Sequence, residues 1–411
     1  MERMLKQLTA AALFVLIANN PVLAFGDWPQ WRGPQRDGIS TETGLVHDFP
    51  EGPRMLWNHA FGKGFSGLSI VDGLIYTMHA TNAEYAVCLF AADGKEKWTV
   101  RTGKKFRDAQ GGDGPRATPT VDGDRVFVLG ANGRLMALNR ISGEVLWVKH
   151  LIDDLGGNLP NWGYSNSPLI SGGLLLVSTG ARAGGSLVGM RPESGEVVWR
   201  SSSSGAGYAS PIEVNTPRQK QAIFFTERGL EGVHPEDGRK LWEFPWQTPL
   251  AANSATPVLV GPGKLFISSG YGMGSALVRI PEAGDKPDVL WKTRKMISSF
   301  STPIWYRGNI YGFHDQVFEC LDTDGRVRWE QRGLGMGTVI GADGKLFILG
   351  EQGRLIVARA SRQRFQELGS ARVLKGKCWT GPSLSDGVLY LRNERYIAAL
   401  DIKQPIQTDG G

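Results

Sequence analysis

A tryptophan returns about every 45 residues, and it closes the same short pattern each time. The pattern is Gly-x-x-x-Trp, opened by Asp or Ser. Five copies are clean: Asp93-Gly94 to Trp98, Ser142-Gly143 to Trp147, Ser194-Gly195 to Trp199, Asp237-Gly238 to Trp242 and Asp324-Gly325 to Trp329. Trp57 and Trp291 end degraded copies. The seven positions are separated by 41, 49, 52, 43, 49 and 38 residues. A fixed period of this size marks a repeat architecture, in which one unit cannot bury its apolar face alone.

Two further anchors share the period. One is a Ser/Thr-Pro pair before a short apolar run and a Gly turn, as in Thr118-Pro119 with Asp122-Gly123 and Ser167-Pro168 with Gly172-Gly173. The other is a short strand-like run such as Leu135-Met136-Ala137-Leu138. Each unit therefore reads as strand A, Gly turn, strand B, loop, strand C, Gly turn and a strand D ending in Trp. Four strands of five or six residues with their turns fill about 45 residues. This is a propeller blade. The 55 glycines of the 411-residue chain agree with so many tight turns. No helical period separates the strands, which excludes a doubly wound α/β fold.

Strands A, B and C occur eight times. The last unit lacks strand D, whereas Met55-Leu56-Trp57 is a strand D with no blade before it. The expected fold is an all-β, eight-bladed propeller of four-stranded antiparallel blades, with the N-terminal strand completing the last blade. Closure removes free sheet edges. The seven tryptophans (Trp57, Trp98, Trp147, Trp199, Trp242, Trp291 and Trp329) are then expected to dock between blades rather than to cage a ligand.

Segments such as Ala137 to Trp147 resemble the tryptophan-docking repeat of the PQQ-like, or quinoprotein-type, β-propeller superfamily over about residues 55–403. The opening Asp27-Trp28-Pro29-Gln30-Trp31-Arg32-Gly33-Pro34 is similar to the lead-in of exported bacterial members. That superfamily includes quinoprotein alcohol dehydrogenases and the propeller scaffold of the outer-membrane β-barrel assembly machinery. The dehydrogenases typically carry two adjacent cysteines against the cofactor, and extra segments that build the metal site. This chain has only Cys88, Cys320 and Cys378, with no adjacent pair and no metal-ligand spacing.

The first residues read as an export signal. Arg3 and Lys6 precede an apolar run from Leu8 to Ala18, too short to span a bilayer, and Val22-Leu23-Ala24 suits a signal peptidase. The expected organisation is a signal peptide at 1–24 cleaved after Ala24, a lead-in at 25–54, the propeller at 55–403 and a tail at 404–411. No Cys stands at the cleavage site to take a lipid anchor, and no later stretch reads as transmembrane. A net charge of +6 is too dilute to imply nucleic acid.

The D–A connections show where a site would lie. They span 10 to 15 residues in most units but 21 at both Trp98→Pro119 and Trp147→Pro168. Insertions confined to one face of a repeat protein mark its binding face. The first holds Arg107, Asp113 and Arg116; the second holds Asp153, Asp154, Trp162, Tyr164 and Asn166. The two could simply bind each other. The sharper expectation is a polar and aromatic pocket at the channel mouth, to which Tyr208, Asn253, Phe300, Lys377 and Trp379 would add.

The expected function is a non-catalytic, exported scaffold or binding protein of the bacterial cell envelope, periplasmic or secreted and monomeric. It would engage a protein or other envelope component through the inserted face, without cofactor, metal or nucleic acid. The resemblance implies a rival, a PQQ-dependent oxidoreductase or quinone binder, which alone would require PQQ with Ca²⁺. A second alternative is a carbohydrate- or polymer-binding propeller using Trp162 and Tyr164.

Overall fold

The computed structural model describes residues 26–46, 48–49, 52–282 and 286–404. Eight four-stranded antiparallel sheets follow one another as propeller blades. The first comprises Ser69–Val71, Leu74–Ala80, Ala83–Phe90 and Glu96–Lys104. The next six occupy 120–150, 169–201, 212–245, 258–293, 304–331 and 337–372. The eighth takes Ser383–Ser385, Val388–Arg392 and Tyr396–Asp401 from the end of the chain and Arg54–Ala60 from its beginning, the latter antiparallel to Tyr396–Asp401. Among the described residues the only helix is a single 3-10 turn, Pro249–Ala251. The expected signal segment, its cleavage site and residues 405–411 lie outside the described residues.

The Gly-x-x-x-Trp pattern acts between blades. In all eight blades the C–D pairing carries a register shift at the docking position, which turns that side chain toward the next blade. Six of the seven indoles then donate Nε1–H to a backbone carbonyl of the following blade. Trp98 reaches Arg140 at 3.0 Å, Trp147 reaches Pro192 at 2.8 Å and Trp199 reaches Pro235 at 2.9 Å. Trp242 differs and donates to Gln221 Oε1 of its own blade. The ring lies on the turn glycine of the next unit. A Cβ on Gly238, which has φ +71°, would stand 2.3 Å from the Trp199 ring. The glycine of one copy thus receives the tryptophan of the copy before it. Blade seven has Gly369 at the docking position, and there the chain at Asp48–Phe49 fills the slot.

The Ser/Thr of the second anchor has a comparable role around the channel. Thr118 Oγ1 accepts from Gly67 N, Ser167 Oγ from Thr118 N, Ser210 Oγ from Ser167 N and Thr302 Oγ1 from Thr256 N. Strands A of neighbouring blades do not pair, so these hydroxyls satisfy amides that would otherwise be buried without a partner.

The lead-in threads the ring instead of lying beside it. Trp28 exchanges two backbone hydrogen bonds with Ile70 of blade one, and Pro29 accepts from Val121 of blade two. Arg36 donates to carbonyls of Ser167, Pro168 and Pro211, at blades three and four. Trp31 Nε1 donates to Thr256 Oγ1 of blade five, and Arg32 donates to the Pro303 carbonyl of blade six. Ser40 bonds Gly341 of blade seven, and Glu42 and Val46 reach Gly387 and Ile402 of blade eight. One segment therefore bonds all eight blades. Arg32 and Arg36 take left-handed backbone angles, φ 60° and 57°, which the surrounding contacts must hold.

Candidate functional site

The channel is stopped by the lead-in, and a cup of about 490 Å³ opens above it. Its volume is in the range of ligand pockets. Trp31 of the lead-in belongs to its lining. Seven of the eight D–A connections contribute walls; only that between 331 and 337 does not. Phe65 comes from the first, Gln110 and Arg116 from the first insertion, and Trp162 from the second. Tyr208, Phe300 and Trp379 come from later connections, and half-exposed Tyr271 comes from a B–C turn at the same mouth.

The rings form two groups. Trp379 stands between Phe300, with centroids 4.9 Å apart and planes at 31°, and Phe65, at 5.4 Å and 30°. Trp379 Nε1–H donates to Glu351, and Lys377 Nζ sits 4.1 Å from its ring centroid. Trp162 and Tyr208 meet at 5.3 Å and 53°. Trp162 Nε1–H donates to Gln110 Oε1 at 3.1 Å, which joins the two insertions. Arg116 is held by Asp108 at 3.1 Å and by the carbonyls of Gly112 and Gly114, and its guanidinium covers Phe106.

Of the residues expected at the channel mouth, Arg116, Trp162, Tyr208, Phe300 and Trp379 line the cup. Lys377 lies against Trp379 without entering the lining. The others are elsewhere. Tyr164 is fully buried beneath the second insertion, and its hydroxyl donates to Thr179 and Asn158 carbonyls. Asn253 is buried and ties Thr226, Trp246 and Ser269 together. Asn166 is buried between cup residue Ser165 and channel residue Ser167, with neither amide atom hydrogen-bonded. Asp153 and Asp154 serve His150. Asp113 pairs with Lys105 and Lys63, and Arg107 is exposed. The aspartates of each insertion thus find partners close by, and contact between the insertions runs through Gln110 with Trp162 and Phe106 with Gly163. Sequence reasoning missed Trp31, Phe65, Gln110 and Tyr271. Only Trp31 had a signal, its place in the Trp-Pro-Gln-Trp-Arg-Gly lead-in.

Glu84 braces the first insertion from below. Its two carboxylate oxygens accept from Phe106 N at 3.2 Å and Ala131 N at 3.1 Å. Burial pushes its pKa up to about 6. Between the unfolded value near 4.5 and 6 the folded state binds more protons, so stability falls as pH rises through that window. We expect up to about 2 kcal/mol of such loss from Glu84, at about 1.36 kcal/mol per pKa unit. Denaturant titrations of wild type and Glu84→Gln across pH 4 to 7 check this, the variant showing the smaller change.

No aspartate or glutamate belongs to the cup lining. Among the described residues no three His, Cys, Asp or Glu side chains converge as metal ligands. Cys88, Cys320 and Cys378 are buried and free, with thiols pushed up to about 12 by burial.

An eight-bladed ring with tryptophan docking and its loops gathered over one channel mouth defines a PQQ-like β-propeller. More narrowly, the chain belongs to the family whose profile is described as outer membrane protein assembly factor BamB, matched by residues 42–218 and 158–331. The BamB of Shewanella oneidensis is 21% identical over 299 residues, covering 70% of this chain and 74% of that protein. A quinoprotein ethanol dehydrogenase of Pseudomonas putida is 28% identical over 157 residues, 35% of this chain and 24% of the enzyme. A europium-containing methanol dehydrogenase superposes with a TM-score of 0.67 at 12% identity, covering 89% of each chain, a likeness of fold alone.

Proposed function

We propose that this chain is a non-catalytic binding propeller of the bacterial cell envelope, exported and acting as a scaffold that holds an envelope component at its cup. The observation that carries this reading is the composition of the cup. Its lining is aromatic and hydroxyl-bearing, with one guanidinium already engaged by Asp108 and no carboxylate. General acid–base work needs a titratable group within reach of a substrate, and besides Arg116 the lining offers only two phenols, Tyr271 and Tyr208, the latter pushed above its ordinary range by burial, with no His, Lys, Asp or Glu. Kinship with BamB supports the scaffold reading and the envelope location.

The rival is an oxidoreductase using PQQ with Ca²⁺. Hard cations take several oxygen ligands, mostly carboxylates. A cup without carboxylates, and buried cysteines far apart in sequence, do not fit a calcium-bound quinone of that kind. No reaction step is therefore assigned to such a group. The purified protein, given PQQ, Ca²⁺ and primary alcohols, is expected to reduce an artificial electron-acceptor dye no faster than a protein-free blank. Sustained cofactor-dependent reduction would reassign the chain as an enzyme.

A further inference from the structure

We propose that the cup is a saccharide-binding site, its ligand a short pyranose oligosaccharide held by the faces of Trp162 and Tyr271 beside the Phe65–Trp379–Phe300 fan. This rests on the non-catalytic reading above and deepens it by naming the ligand class.

The geometry of the rings comes first. Phe65, Trp379 and Phe300 form a fan with neighbouring planes inclined by 30° and 31°, and Trp162 and Tyr208 are inclined by 53°. A flat heterocycle is best sandwiched by parallel rings. Fanned rings suit a puckered sugar, whose axial C–H groups meet the electron-rich aromatic faces. The polar complement comes second. Ser165, Ser210, Ser254, Ser299, Thr380 and Gln110 share the lining. The Ser165, Ser299 and Thr380 hydroxyls donate to the Tyr208 carbonyl, Asp315 and the Phe65 carbonyl, which leaves their oxygens to accept from sugar hydroxyls, while the Gln110 amide N–H groups remain as donors. Charge comes third. Arg116, the one charged side chain of the lining, is already paired with Asp108, so the wall is close to neutral and suits a sugar better than a strongly charged ligand. Finally, the cup is open at its mouth, and Tyr271 stands half-exposed at φ +58° on the turn at its rim. An open rim lets a chain end enter while the rest of a polymer stays outside.

Intrinsic tryptophan fluorescence and calorimetry test this on the full mature chain. Neutral cello-oligosaccharides and acidic oligo-uronates form two arms, with PQQ as the planar acidic control. The expected result is a saturable response to at least one saccharide arm, and which arm responds reports the charge of the natural ligand. Trp162→Ala and Tyr271→Ala should each weaken that binding about tenfold, since one aromatic contact is worth up to about 1.5 kcal/mol. Tyr271 is exposed enough that its removal leaves the fold intact, and Val289→Ala on the outer wall should change nothing. The proposal is overturned by no saturable response in either arm, by affinities unchanged in both cup variants, or by PQQ binding that saccharides do not displace. A negative result here with no dye reduction removes only the saccharide assignment; dye reduction removes the non-catalytic reading itself.

Discussion

Arg36→Met is expected to lower the unfolding free energy by about 3 kcal/mol and to free the lead-in from the channel. Arg36 is buried at the centre of the ring without a carboxylate partner, and burial pushes its pKa down to about 9, so it stays charged at neutral pH. Its guanidinium donates to carbonyls of Ser167, Pro168 and Pro211 and to Gln30 Oε1, with Thr120 Oγ1 at the edge of range. Hydrogen bonds to a charged group contribute about 1.5–3 kcal/mol each, and orphaned buried acceptors cost a further 1–3 kcal/mol or so. Against this stands the relief of desolvating a cation, which is large when no counter-ion is present. The net loss is therefore well below the sum of the bonds. For a chain of this length the midpoint should fall by about 4 °C. Limited trypsinolysis gives the local readout, with cleavage near Arg32 becoming fast in the variant while the propeller persists. Arg36→Lys should lose most of the same stability, because a compact ammonium lacks the planar fork with which the guanidinium spans Gln30 and the carbonyls of two blades at once.

Trp199→Ala is expected to remove about 4 kcal/mol. The ring is 7% exposed and lies between Gly189 of its own blade and Gly238 of the next. Truncating a large buried aromatic side chain costs roughly 3–5 kcal/mol through lost burial and the cavity left behind. The Pro235 carbonyl also loses its donor. Trp199→Phe should recover most of the packing term but not the hydrogen bond, leaving a deficit of about 1 kcal/mol. Denaturant unfolding of the three proteins separates these terms. Trp242→Phe offers a contrast, since its Nε1–H reaches blade five only by relay, through Gln221, whose own amide donates to the Pro281 carbonyl at 3.0 Å, so its loss should loosen that relay rather than remove a direct inter-blade hydrogen bond.

The propeller was legible because its determinants are periodic. A docking tryptophan, a turn glycine and a Ser/Thr-Pro step recur once per blade, and each has a fixed partner in the neighbouring blade. The face carrying the site was legible for the same reason: connections at 98–119 and 147–168 stand out only against a regular spacing. Individual cup residues were less so. Tyr164 and Trp162 are two positions apart in one insertion, yet a turn at Gly163, φ +74°, sends one ring into the core and leaves the other at the cup. The lead-in was invisible as a plug because it is not a repeat. Its contacts with eight blades depend on closure of the ring, so neither its arginines nor Trp31 could be placed before the channel existed. Asp48–Phe49 is a second such case, filling a docking slot that Gly369 leaves empty.

The central claim is that this propeller works by holding a component at the cup. In-cell photo-crosslinking from a benzophenone side chain tests it most directly, with the probe at Tyr271 on the cup rim or at Val289 on the outer wall. The account predicts a discrete adduct from position 271 that disappears when Trp162→Ala is added, and none from position 289. Adducts from position 289 alone, or adducts at 271 that persist in Trp162→Ala, would contradict it.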